Sequence, residues 1–436
     1  MTARTTIAAC VAAIVLGLAW PWFSARRVQA TVIAPAPIAT DYRQRDRMIA
    51  FYEKQTRRDP QDQITARTLG SQYLQRFRET GDIGDVTRAR LQAERSLRLQ
   101  PQGNVQALGV LASGDLSLHE FSAALGAERA AVRAEPFDDN ARAQTASLLM
   151  ELGRYPEAER VLLHPHTALN PTWMSVQARY DELTGNLVGA RIAMGEAAGI
   201  VDRMIEVPAY TRSWYHLRLA QLAFEAGDDR TAGAEFDESL RIYPDNAAAL
   251  LFQAKFYRAR HNWKRALASS TRSADLYPLP QALGYEVDAQ RALGYASDAE
   301  KTDALVRAEQ RLFNVQGIND RLLAMYYAEH REHLTDALAA ARSDLAKRGN
   351  EIYADDTMAW VLAAMGRWNE ARTYAERAIR YGTQDPELQY HVGAIAWHTG
   401  HAKEAQRLLQ SALSTDASFH PVYADDARRL LRAASQ

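Results

Sequence analysis

Cysteine is nearly absent from this 436-residue sequence, and the single one, Cys10, lies in an apolar segment at the N-terminus. The rest of the chain therefore has no disulfide, no thiolate zinc site and no cysteine nucleophile. A cysteine-free body suits an oxidising compartment. An excess of one charge is missing too: 52 Lys plus Arg stand against 53 Asp plus Glu, a formal charge of −1. Residues 1–30 hold Arg4, Arg26 and Arg27 and no acid, so the remainder carries −4. Neither balance supplies the basic stripe that a nucleic-acid partner requires. The sequence has no Gly-x-x-x-x-Gly-Lys loop, no Gly-x-Ser-x-Gly elbow and no His-Glu-x-x-His pair, which removes the commonest phosphate-binding, hydrolase and zinc-peptidase chemistries. Apart from the N-terminus, no non-repeating segment exceeds roughly 40 residues, too little for a separate catalytic domain.

Apolar material is present in quantity, at 47% of residues. The longest run, Thr6–Phe23, follows Arg4 and precedes Arg26 and Arg27. Its length lies between a signal-peptide core and a membrane span of about 20 residues. Val28-Gln29-Ala30 offers small residues where a signal peptidase reads, whereas the two arginines favour retention. Residues 1–30 are thus expected to be a signal peptide or membrane anchor, and both outcomes stay open. Residues 31–40, TVIAPAPIAT, hold two prolines and read as an extended linker.

From residue 41 the chain repeats itself. Ala89, Ala124, Ala158, Ala190, Ala232, Ala266, Ala299, Ala337, Ala371 and Ala405 recur at a period near 34 residues. Gly153, Gly185, Gly227, Gly294, Gly366 and Gly400 each stand five residues earlier. Such a glycine ends one helix in a left-handed turn, and the alanine opens the next where the two helices approach closely. Pro60, Pro101, Pro136, Pro244 and Pro278 fall about twelve residues after the alanine, or where one would be, and stop the second helix. The period and the helix–turn–helix unit are those of the tetratricopeptide repeat. The predicted fold is all-α: a right-handed superhelical solenoid over residues 41–420, of about ten helix pairs, with a capping helix at 421–436. Three units are stretched, by a longer turn in RETGDIGDVTRA (78–89), by about eight residues near 198–210, and by about four near 311–317.

These residues resemble the tetratricopeptide-repeat superfamily over about 49–420. FYEKQTRRDPQD (51–62), YLQRFRETGD (73–82), YPLPQALG (277–284), IYADDTMAWVLAAMGR (352–367) and YGTQDPELQYHVG (381–393) look like landmarks of one group of exported or membrane-anchored bacterial repeat proteins. The resemblance implies a non-enzymatic scaffold or adaptor of the cell envelope, periplasmic or held at the inner membrane with its repeats outside the cytoplasm. It implies protein or peptide partners, no cofactor, and no catalytic residue to carry over.

In such a solenoid the first helix of each pair faces the concave groove. Positioning each repeat by its alanine puts Tyr326, Glu329, His330, Tyr353, Asp356, Trp360, Tyr390, His391, Trp397 and His398 there, a candidate peptide-recognition patch. Helically spaced aromatics also serve as core between repeats. A mid-array set on successive first helices, Trp214, Leu217, Phe224, Phe252, Lys255, Arg258 and Arg291, forms a second candidate patch whose basic members could hold a carboxylate; exposed charge on a solvated face is the simpler account. Six of eleven histidines lie between 330 and 420, in the pairs His330-x-x-His333 and His398-x-x-His401 among others. The alternative function is therefore a metal- or small-ligand-handling envelope protein. No carboxylate stands at an obvious ligand spacing from either pair, so no metal site is assigned.

Overall fold

The computed structural model describes residues 40–167, 169–315 and 321–434, all within one compact unit spanning 37–436. The N-terminal apolar run, nearly all of the linker and part of the stretch near 311–317 lie outside the described residues. No helix among the described residues is long and apolar enough to cross a membrane.

The described residues form 22 α-helices and no strand. A lone helix α1 (Arg45–Arg58) precedes ten antiparallel pairs. The first three are α2/α3 (Gln63–Thr80, Ile83–Leu99), α4/α5 (Val105–Ser117, Phe121–Ala134) and α6/α7 (Asp139–Glu151, Tyr155–Leu162). Then come α8/α9 (Pro171–Leu183, Leu187–Val201), α10/α11 (Ala209–Glu225, Asp229–Ile242) and α12/α13 (Ala247–Ala259, Trp263–Leu276). The last four are α14/α15 (Pro280–Ala292, Ala296–Val315), α16/α17 (Arg321–His330, Leu334–Arg348), α18/α19 (Ile352–Ala364, Trp368–Ala378) and α20/α21 (Pro386–His398, Ala402–Thr415). Helix α22 (Tyr423–Ala434) closes the stack.

Local chemistry sets these boundaries. Asp62, Asp138, Asn170, Asp228, Asn246 and Asp385 cap first or second helices, each accepting from backbone N–H groups two or three residues on. All ten repeat alanines are between 0 and 3% exposed, so each sits where one methyl fills the space between helices and a longer side chain forces them apart. His119 and His261 occupy the position that glycine holds in other pairs and adopt its positive φ, 59° and 53°. The first stretched unit differs from the sequence reading. Its turn is short, Gly81-Asp82, and the extra residues extend the start of α3, where the aspartate side chain caps the new first turn. The second stretch is accommodated by α9 running to Val201 and a connection through Pro208.

The repeats wind so tightly that successive turns of the superhelix touch. Tyr155 Oη accepts from Ile352 N at 3.2 Å, and Arg348 pairs with Glu151, each across 197 residues of chain. Thr383 Oγ1 donates to the Glu182 carbonyl at 3.4 Å, and Arg260 joins Asp229 at 2.5 Å to Asp416 at 2.9 Å. The turn glycines are the points of closest approach. A Cβ at Gly153 would fall within 3.0 Å of the Asn350 backbone, at Gly185 within 3.0 Å of the Gly382 backbone, and at Gly227 within 3.0 Å of the Thr415 backbone. At Gly294, Gly366 and Gly400, the same position in later pairs, a Cβ would meet nothing within 4 Å. The turn of one pair thus rests on the connection that follows the fifth pair after it.

Candidate functional site

Stacking one superhelical turn on the next converts the concave face into an interior. It holds a cavity of about 560 Å³, walled mainly by the first helices from α6 to α20 and by the segment leading into α22. Each helix contributes a stripe at three- to four-residue spacing, such as Arg179 and Glu182 on α8 or Trp214, Arg218, Gln221 and Glu225 on α10. The walls carry eight carboxylates, five Lys or Arg side chains and two histidines, so acid exceeds permanent base.

Most of this charge is neutralised in pairs. Lys255 donates to Glu387 at 2.8 Å. Burial opposes ionisation of Glu387, but the Lys255 ammonium outweighs it and holds the carboxyl down at about 2. Arg258 bonds Asp288 at 2.7 Å and also pairs with Glu329. Glu182 receives two arginines, Arg179 at 2.7 Å and Arg218 at 2.6 Å, and is held below the usual carboxylate range against its burial. His391 sits between Asp356, whose two oxygens are both 3.1 Å from Nδ1, and the face of Trp360, with centroids 4.2 Å apart. Burial alone disfavours its cation, yet Asp356 raises its pKa above the ordinary value. His420 behaves oppositely. Its Nδ1 accepts from Val422 N and Tyr423 N at 3.2 Å, burial lowers its pKa, and Nε2 lies 3.1 Å from both Glu329 Oε1 and Arg258 Nη1.

Three polar atoms of the wall are shut off from solvent without a hydrogen-bond partner: Glu225 Oε1, Gln281 Oε1 and His391 Nε2. Glu225 lies close to Glu182 and Asp385, while the two neighbouring arginines are engaged by Glu182. Burial, then repulsion from those two carboxylates, raises its pKa well above the usual range. Asp385 itself is committed to capping α20 and to accepting the Tyr353 hydroxyl at 3.1 Å.

Of the ten residues assigned to a recognition patch, the structure brings Tyr326, Glu329, Tyr353, Asp356 and His391 to the cavity wall. His330 lies beside it, its Nε2 2.8 Å from Asp288. Trp360 and Tyr390 are buried against the capping helix: Trp360 Nε1 donates to Tyr423 Oη at 2.9 Å, and Tyr390 stacks on the Tyr423 ring at 4.7 Å. Trp397 is half-buried against the same apolar cluster. The chain's own α22 therefore covers the aromatic end of the groove. Lys255 and Arg258 do not lie on a solvated face. They point inward because their helix is an inner one, and Arg291 alone of that set's charges is exposed.

The histidines do not gather into pairs. His333 takes a left-handed backbone at the turn, with φ 46°. His398 stacks on Trp368 at 3.9 Å, and His401 faces Thr399 Oγ1 at 3.1 Å. Asp288, Glu329 and His330 do bring one ligand atom each within 4.8 Å of the others. The Arg258 guanidinium already bonds both of those carboxylates, so a divalent ion there would have to displace a buried cation.

No family model and no curated protein matches the sequence. Solved structures similar to it include Tom70 of yeast, at 13% identity and TM-score 0.33, covering 91% of this chain and 93% of that one. The Cut9–Hcn1 hetero-tetramer of the APC/C is similar at 12% identity and TM-score 0.31, covering 90% and 94%. The repeat itself defines the class: an all-α solenoid of tetratricopeptide-type helix pairs.

Proposed function

We propose that this protein is a non-catalytic binding protein of the bacterial cell envelope, and that it receives a short polypeptide segment inside its superhelix. The observation that carries this reading is the interior cavity, with aromatic side chains Trp214, Phe224 and Phe252 beside unpartnered polar atoms. A preformed pocket of that kind binds without a large ordering cost. The envelope assignment follows from the apolar run Thr6–Phe23 with its flanking arginines and from a body without cysteine. The cavity's volume, within the roughly 300–1,000 Å³ of small-ligand sites, excludes a whole helix. It suits a chain terminus or a few extended residues. The same volume favours, as a second reading, a small polar molecule.

The test uses the tagged full-length protein in its native membranes, with a photo-crosslinking residue at Phe252 or at exposed Leu163. Capture of the same envelope partner from position 252 and not from 163 is the expected result. Capture from 163 alone would place recognition on the outer surface and end the interior reading.

A further inference from the structure

We infer that Glu225 is the residue through which the interior cavity recognises a compact organic cation, an ammonium group borne by its ligand. This deepens the interior-binding reading and rests on it. Glu182 takes both Arg179 and Arg218, Glu387 takes Lys255, and Asp385 is spent on the N-terminus of α20 and on Tyr353. Glu225 is left with an oxygen that is closed to solvent and bonded to nothing. A buried acceptor left without a donor is unfavourable, so an incoming donor regains that energy.

A second, independent observation points to a polar ligand in the same cavity. Gln281 and His391 are each more than nine-tenths buried, line the same cavity and each present one unpartnered atom. Gln281 Oε1 is an acceptor, and His391, with Asp356 on its Nδ1 side, leaves Nε2 without a partner. A chain N-terminus and a free amine each offer an ammonium; only the former carries a carbonyl one residue along.

The empty and occupied cavities differ in protonation. Around Glu225 stand Glu182 and Arg179 on α8, Arg218 on its own helix, and Asp385 at the head of α20. With the arginines engaged elsewhere, burial and the neighbouring carboxylates favour the neutral acid of Glu225 in the empty cavity. An ammonium within hydrogen-bond reach favours the carboxylate, so binding should be accompanied by proton release.

The test offers the immobilised full-length protein a pool of random tripeptide amides with free amino termini, the same pool N-acetylated, and propylammonium. Retention is read by mass spectrometry and proton release by calorimetry in two buffers. Glu225→Gln mimics the neutral acid of the empty cavity and is expected to fold as the parent does, checked by circular dichroism. Glu225→Asp preserves the acid in a second variant. The expected result is at least tenfold better retention of free than of acetylated peptides, proton release on binding, and loss of both effects in Glu225→Gln. Propylammonium binding without peptide binding would keep the ammonium site and assign a small amine as its source, ending the polypeptide reading. Peptides retained regardless of acetylation, or equally by Glu225→Gln, would overturn the role of Glu225 and leave interior binding standing. No retention of any probe by the parent protein would overturn both.

Discussion

Alanine at the turn glycines separates two demands that the same residue meets. Gly153, Gly185 and Gly227 have φ of 66°, 85° and 69°, and Gly294, Gly366 and Gly400 have 81°, 74° and 82°. A Cβ at any of the six carries the left-handed penalty of about 1–2 kcal/mol. Only in the first three does it also run into backbone from the next superhelical turn. Backbone cannot rotate away as a side-chain tip can, so the turns must part, at a further cost of about 1–3 kcal/mol by analogy with overpacked cores. The first trio should therefore lose about 2–5 kcal/mol per substitution and the second about 1–2. Urea unfolding of the six single variants, followed by circular dichroism, measures the difference through the midpoint. That choice avoids assuming two-state behaviour in a long repeat array. Small-angle scattering should show a larger radius of gyration for Gly185→Ala and no change for Gly366→Ala. Equal losses in the two trios with unchanged dimensions would mean that the turns do not bear on one another, and the closed interior would fall with that contact.

Three further outcomes are expected. Lys255→Met leaves the half-buried Glu387 without its partner and should destabilise by on the order of 1–2 kcal/mol, while adding Glu387→Met should restore most of it; a double variant as unstable as the single would refute the pairing argument. His216, 2.7 Å from Glu235 and 3.2 Å from Asp202, and His330, 2.8 Å from Asp288, resist the desolvation that would lower them and are each pushed up to about 9 by their carboxylates. Their folded-state values exceed the unfolded one near 6.5, so their contribution is complete below pH 6.5 and disappears as pH rises through 9. The urea midpoint should fall across that window by the equivalent of up to ~3 kcal/mol per histidine, and His216→Gln together with His330→Asn should flatten the slope. His261→Gly relieves a left-handed backbone at an exposed turn and should stabilise by about 0.5–1 kcal/mol; an unchanged melting temperature would show that the ring's edge contact with Trp263, 5.5 Å away, offsets the strain.

Part of the candidate site was legible. Inner-helix residues can be placed from the repeat alanine, and that register located Tyr326, Glu329, Tyr353, Asp356 and His391 on the inner face. Arg179, Glu182, Arg218 and Glu225 stand in repeats that hold aromatics too, Trp214 and Phe224 among them, but no pair of histidines. A signal was available: ionisable residues three or four apart on first helices, where a solenoid's inner face should otherwise be uniformly polar or apolar. Tyr423 and the capping helix were not readable as the cover of the aromatic end, since nothing in the repeat pattern says where a terminal helix turns back.

The sequence by itself determined the helix pairs. Capping carboxylates and amides, turn glycines, the alanine at the helix crossing and the prolines between units all act within about 34 residues, where local conformation and nearest-neighbour packing decide the outcome. Only the tertiary structure decided the rest. The pitch of a superhelix is the sum of small rotations from one pair to the next, and a slight change in each moves residues 197 positions apart from contact to separation. That sum brings Gly185 against Gly382 and closes a groove into a cavity. It pairs Lys255 with Glu387 across 132 residues and leaves Glu225 in the cavity wall with an unpartnered oxygen.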